Sequence, residues 1–212
     1  MIRRCDGEKN TGAFLMFRAF GCAAFFLWAL TAPVCAQTGE AARDETAQGG
    51  SIVDELRVGV FAQGWGNIGK DKEQGVGFNL ETAFVSPGFL SAVGSPRPHL
   101  GVTIASDSDA TNQVYFGLEW QAYLKRRLFA SVSLGGAVHD GETKYTEVVD
   151  RPRRSNTLFL GCRALFRVAG DIGYDVSERV RLSVHMAHIS NANLCSVNEG
   201  LDHFGARLGY RF

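Results

Sequence analysis

After residue 50 the chain alternates apolar and polar side chains in eight successive short runs, with no long apolar helix between them. A period of two sends neighbouring side chains to opposite faces of a strand. In the first run Leu56, Val58 and Val60 alternate with Glu55, Arg57 and Gly59. In the second, Val76, Phe78, Leu80 and Phe84 alternate with Gly77, Asn79, Glu81 and Ala83. The third sets Leu100, Val102 and Ile104 against Gly101 and Thr103. The fourth sets Val114, Phe116, Leu118 and Trp120 against Tyr115, Gly117, Glu119 and Gln121, and the fifth Leu128, Val132 and Leu134 against Ser131, Ser133 and Gly135. The sixth reads Leu158, Leu160, Ala164, Phe166 and Val168 against Gly161, Arg163 and Arg167. The seventh sets Val180, Leu182, Val184 and Met186 against Arg181, Ser183 and His185. The eighth sets Phe204, Ala206, Leu208, Tyr210 and Phe212 against Gly205, Arg207, Gly209 and Arg211. Abundant glycine (25) and scarce proline (5) favour a β protein with many turns over a helical bundle.

Such alternation fits two architectures. A soluble sandwich turns its apolar face inward, whereas a membrane barrel turns it to lipid and keeps small, polar and charged residues inside. The polar faces here mix glycine with Glu81, Glu119, Arg163, Arg167 and Arg207, which suits the narrow, filled interior of an eight-stranded barrel. Opposite charges in that interior can pair, which offsets the cost of burying them.

The two ends of the chain favour the membrane. Arg3, Arg4, Lys9 and Arg18 precede an apolar run from Ala19 to Ala32, which closes on Val34-Cys35-Ala36. A basic stretch, an apolar core and small residues at the −3 and −1 positions form a secretory signal, with cleavage expected after Ala36 and Met16 as an alternative start. The run is shorter than the ~20 residues of a spanning helix, and Ala-Pro-Val before Cys35 is a poor lipoprotein signal. At the other end, Tyr210-Arg211-Phe212 resembles the aromatic terminus by which bacterial outer-membrane barrels are recognised for insertion. The expectation is therefore an all-β, eight-stranded antiparallel transmembrane barrel over 51–212, preceded by a signal peptide (1–36) and a disordered leader (37–50), in the bacterial outer membrane.

An even strand number puts both termini on the periplasmic side, with the longer loops outside. Lys125-Arg126-Arg127 reads as a tight turn, Asp140 to Asn156 as a long external loop, and Pro87 to Pro98 as an unusually long periplasmic connection. The 22 basic and 22 acidic residues cancel and point to no nucleic-acid partner. Only Cys162 and Cys195 remain after the signal, too few for a disulfide framework; their pairing is not legible in the sequence.

Some polar residues share parity with the lipid face. His188 and Ser190 continue Leu182, Val184 and Met186, and Asp202 shares parity with Phe204, Ala206 and Leu208. All three fall at the outer ends of antiparallel neighbours, so the fold should gather them near the outer leaflet. Polar groups on a lipid face are costly, though less so towards the interface. Residues i and i+2 of a strand lie ~7 Å apart at Cα, within reach of an imidazole and a hydroxyl. Ser190 as nucleophile, His188 as base and Asp202 as orienting acid fill the roles of a serine hydrolase. Asn191 and Asn198 could donate to the oxyanion. An ester of a lipid is the substrate such a place implies. Polar residues in the interfacial zone are also ordinary, and His-x-Ser recurs by accident.

The segment His188-Ile189-Ser190-Asn191-Ala192-Asn193, with Asn198-Glu199-Gly200-Leu201-Asp202, resembles the lipid A 3-O-deacylase family (PagL type, acyloxyacyl hydrolase-like). Asp54 to Val60, Gln113 to Leu118 and Gly209 to Phe212 extend the resemblance along nearly the whole barrel. It implies hydrolysis of the 3-O-linked acyl ester of lipid A, with Ser190 and His188 in the family's serine and histidine roles. The family's acid is typically glutamate, and Asp202 stands in that position one methylene shorter, so its reach to His188 depends on strand register. Asn191 and Asn198 match family asparagines. The partner implied is lipopolysaccharide of the outer leaflet, with at most a second copy of the chain as a homodimer.

The rival functions are an outer-leaflet phospholipase using the same three residues and a non-enzymatic adhesion or structural barrel. His185 and His203 have interior parity, and His99 and His139 fall at strand ends or in loops. Asp107, Asp109 and Asp140 are loop carboxylates that could hold divalent ions, and Arg151, Arg153 and Arg154 could meet lipid A phosphates; a solvated loop accounts for the carboxylates equally well and for the arginines better. No metal-ligand spacing, phosphate-binding loop or cofactor motif is present, so no cofactor is expected.

Overall fold

In the computed structural model, which describes residues 51–66, 68–145 and 155–212, eight antiparallel strands close into a barrel in chain order. They are β1 (Val53–Gln63), β2 (Gly75–Phe84), β3 (Arg97–Ala105), β4 (Gln113–Tyr123), β5 (Leu128–His139), β6 (Ala164–Asp175), β7 (Val180–Ser190) and β8 (Leu201–Arg211). β1 pairs with β8, Val58 opposite Leu208, so the sheet has no free edge. Closure satisfies every ladder group without water, as a span through lipid requires. The expected signal and leader lie outside the described residues.

The parity read from the sequence holds around the barrel. Val60, Phe78, Leu100, Phe116, Leu134, Ile172, Val184 and Leu208 face outward and are exposed. Tyr174, Tyr210 and Phe212 are exposed aromatics at the end where β1 begins and β8 finishes, as expected of an interfacial belt. The opposite parity fills the lumen with charge. Arg57 donates to Glu81 at 2.7 Å, to Glu119 at 2.5 Å and to Glu55 at 2.9 Å. Arg207 reaches Glu81 at 3.0 Å, and the Arg167 guanidinium lies 3.8 Å over the Tyr115 ring. Tyr115 needs a glycine opposite it: a Cβ on Gly101 would sit 2.4 Å from its hydroxyl. Such an interior is a packed polar core, in which Arg57 and Arg207 meet carboxylates as the low dielectric demands, while Arg167 stacks on Tyr115 and bonds to Ser133 and His185.

Three details depart from the sequence reading. The sixth strand begins at Ala164, and Leu158 and Leu160 precede it as fully buried members of a cluster over the outer mouth, with Ile189 and Leu201. Gly161, with φ of +80°, turns the chain between that cluster and the strand. Residues Thr157 to Leu160 are buried on every side, so this short apolar run marks a buried connecting strip and not a strand. Arg163, expected in the lumen, is consequently exposed and donates to the carbonyl of Gly141. Pro98 belongs to β3 opposite Leu118, so the β2–β3 connection is shorter than expected; it contains a 3-10 helix over Gly88–Val93.

Candidate active site

β7 ascends to the outer end of the barrel and β8 descends from it, and their register places His188 directly opposite Asp202. His188 Nδ1 and Asp202 Oδ1 are 2.6 Å apart. Directly opposed residues have Cβ atoms only ~5 Å apart, so the shorter aspartate spans the gap. A carboxylate on Nδ1 leaves Nε2 as the unprotonated nitrogen, free to take a proton. Ser190, the last residue of β7, lies on the same face two residues on, half-buried and opposite Phe166 of β6. The Ser190 hydroxyl has no hydrogen bond to His188 among the described residues.

Asp202 is not open to lipid, although its parity pointed that way. The β1–β2 loop folds over it and leaves it 1% exposed. The backbone amides of Ile68 and Gly69 donate to Asp202 Oδ2 at 3.0 and 2.8 Å, and Gly64 N–H donates to its carbonyl at 2.9 Å. These bonds hold the second carboxylate oxygen while the first faces the imidazole. Charge-assisted bonds of this kind are the stronger class.

Two glycines allow the approach. A Cβ on Gly66 would stand 2.1 Å from Asp202 Oδ2, and one on Gly200 would stand 2.8 Å from His188 Cε1. Gly200 also has φ of +67°, where a side chain is strained. The reading from sequence missed these glycines and the loop amides. The spacing Gly64-Trp65-Gly66 and Gly69 between two strands was the available signal, since clustered glycine in a loop marks close backbone contact.

The asparagines do different things. β7 gives way to a tight turn in which Ala192 and Asn193 are left-handed and Leu194 N–H donates to the Asn191 carbonyl. Asn191 is buried, and its Nδ2 donates to the carbonyls of Leu160 at 2.8 Å and Val197 at 2.5 Å. Asn198 accepts from the Asn191 amide and gives one Nδ2 hydrogen to Asn193 Oδ1. Cys162 and Cys195 form a disulfide that ties the approach to β6 to this same β7–β8 loop.

A second imidazole–carboxylate pair lies in the lumen: His185 Nδ1 is 2.9 Å from Asp171 Oδ2. Arg167 Nη2 stands 3.2 Å from the other nitrogen of His185, and the pair is sealed from lipid and water, so it has no route to a substrate. His203 is likewise buried, beside Gln113. Arg151, Arg153 and Arg154 lie outside the described residues, and Asp140 accepts from both the backbone and side chain of Asn112.

The outer-membrane enzyme PagL has a solved structure with this barrel: the TM-score is 0.55 at 17% identity, over 74% of this chain and 99% of that one. Neisserial surface protein A also aligns, at a TM-score of 0.48 and 8% identity, over 76% of this chain and 96% of its own. No curated protein matches by sequence. The family model described as lipid A 3-O-deacylase (PagL) matches residues 75–211, from the start of β2 to the end of β8, including His188, Ser190 and Asp202. The chain therefore belongs to the lipid A 3-O-deacylase (PagL) family of outer-membrane enzymes.

Proposed function

We propose that this chain removes the 3-O-linked acyl chain of lipid A as a serine-type ester hydrolase, with Ser190 as nucleophile, His188 as general base and Asp202 as the acid that orients the imidazole. The observation that carries the reading is the 2.6 Å His188–Asp202 pair at the outer end of β7 and β8, with Asp202 covered by the β1–β2 loop and Ser190 two residues along the same strand as His188. A lumen site could not meet an outer-leaflet lipid, whereas this end of the barrel does.

Ser190 Oγ attacks the acyl carbonyl while its proton passes to His188 Nε2, and Asp202 stabilises the imidazolium. The tetrahedral intermediate collapses by breaking the bond to the 3-oxygen of the sugar, which takes the proton from His188. Water, deprotonated by the same imidazole, then cleaves the acyl-enzyme and releases a fatty acid. For the oxyanion, Asn198 is the better-placed of the two asparagines, since it keeps one Nδ2 hydrogen uncommitted. Asn191 contributes by fixing the turn after Ser190, because its Nδ2 is engaged by two carbonyls.

The test is the mass spectrum of lipid A from a lipid A-bearing bacterium expressing the chain, beside a Ser190→Ala control. Loss of one hydroxyacyl chain with the wild type and not with the variant is the expected result. Unchanged lipid A, with both barrels folded in the outer membrane, would refute it and favour a phospholipid substrate or a structural role.

A further inference from the structure

A four-residue strip binds together the loops that build the site. Running from Thr157 to Leu160 before β6, it crosses the outer mouth between the β1–β2 and β7–β8 loops. The carbonyl of Thr157 accepts from Lys72 Nζ at 3.2 Å, and Leu158 N–H donates to Glu73 Oε1 at 2.8 Å. Phe159 N–H donates to Glu199 Oε2 at 2.8 Å, and the carbonyl of Leu160 accepts from Asn191 Nδ2. Lys72 and Glu199 close this arrangement on each other, with Nζ 2.7 Å from Oε1 and 2.9 Å from Oε2. The ammonium also lies 5.5 Å from the Phe159 ring centroid.

The pair joins two halves of one device. Lys72 sits three residues after Gly69, whose amide grips Asp202, and Glu199 immediately precedes Gly200, which packs against His188. Exposed ion pairs contribute little. This one is mostly buried, with side chains 23% and 12% exposed, and each partner has a further fixed contact on the strip. Neither side chain is hydrogen-bonded to His188, Ser190 or Asp202.

Building on the proposed esterase, we propose that Lys72 and Glu199 are positioning residues that hold the β1–β2 loop amides on Asp202 and so set the orientation of His188. The family model begins at residue 75, so Lys72 and the gripping loop lie outside the matched range. Without the clamp the β1–β2 loop keeps the Glu73 contact with Leu158 but loses its link to the β7–β8 loop that carries Glu199 and Gly200. Ile68 and Gly69 then leave Asp202 for water, and the imidazole loses its fixed direction.

The experiment uses the full-length mature barrel in detergent micelles, as wild type, Lys72→Met, Glu199→Gln and Lys72→Arg, with two readouts. Hydrogen exchange of the Gly69 amide reports its grip on Asp202, and deacylation of purified lipid A reports catalysis. Lys72→Met and Glu199→Gln should speed Gly69 exchange about tenfold and lower kcat about fivefold or more with KM little changed, while Lys72→Arg retains both. In an Asp202→Ala background, Lys72→Met should cost almost no further activity, because the clamp acts through Asp202. Unchanged Gly69 exchange in folded variants overturns the proposal, as does an equal loss of rate in the Asp202→Ala background. If the wild type leaves lipid A intact, the esterase reading fails and the exchange data still decide whether the clamp holds Asp202.

Discussion

Gly66→Ala is a one-carbon test of the Asp202 site. The added Cβ would stand 2.1 Å from Asp202 Oδ2 and 2.5 Å from both its Cβ and its Cγ. Real contacts of that kind do not occur, so either the loop or the carboxylate must retreat by about 1 Å, a displacement that under the proposed mechanism should lower the rate ~100-fold. The obstruction is not a flexible tip. Asp202 is fixed by its pair with His188 and by the Ile68 and Gly69 amides, and the loop by Gly64 N–H on the Asp202 carbonyl. Losing one or both charge-assisted bonds to Oδ2 costs about 1.5–3 kcal/mol each if nothing replaces them, with water recovering part. An effect of ~2–3 kcal/mol on the barrier, or roughly 30- to 150-fold in kcat, follows. Deacylation of purified lipid A by the folded variant, with circular dichroism confirming the barrel, measures it. Gly88→Ala is the control, since a Cβ there meets nothing within 4 Å. A Gly66→Ala protein that keeps its rate within twofold would refute the idea that loop contact with Asp202 sets the site.

Reducing the Cys162–Cys195 disulfide releases a loop closed over a separation of 33 residues, which chain-entropy arguments value at ~3.7 kcal/mol against the unfolded chain. Reductant should lower the thermal midpoint in micelles, and the Cys162→Ser, Cys195→Ser double variant should already sit at the lower value; equal midpoints for all three would count against a tether. The Glu73 carboxyl, in the β1–β2 loop, is pushed upward by burial, although the Leu158 and Thr111 amides donating to it oppose the shift. A carboxyl whose folded pKa is raised favours the folded loops most below its unfolded pKa, and that advantage is lost as pH rises through the folded value. The Thr111 and Leu158 amide resonances should therefore titrate with a midpoint above the ordinary glutamate range. A midpoint at or below that range would contradict the burial argument.

The barrel was legible in the chain because period-two alternation is a local property. Leu182, Val184 and Met186 against Arg181, Ser183 and His185 specify which side of β7 meets lipid, whatever the rest of the molecule does. The parity of His188, Ser190 and Asp202 was legible for the same reason, and so was the prospect of their meeting. Failures came where a side chain's surroundings depend on distant chain. Leu158, Phe159 and Leu160 read like part of a strand yet cap the mouth, since a short apolar run reports burial and not hydrogen-bonded pairing. Register was decided only in three dimensions: His188 lies opposite Asp202 and not a neighbour, which brings the short aspartate side chain within reach of the imidazole. The cover over Asp202, the pairing of Cys162 with Cys195 and the strip joining Lys72 to Glu199 belong to the tertiary structure alone. Those contacts bring together residues 33 to 134 positions apart, and no short window of sequence carries the closure of loops that far apart.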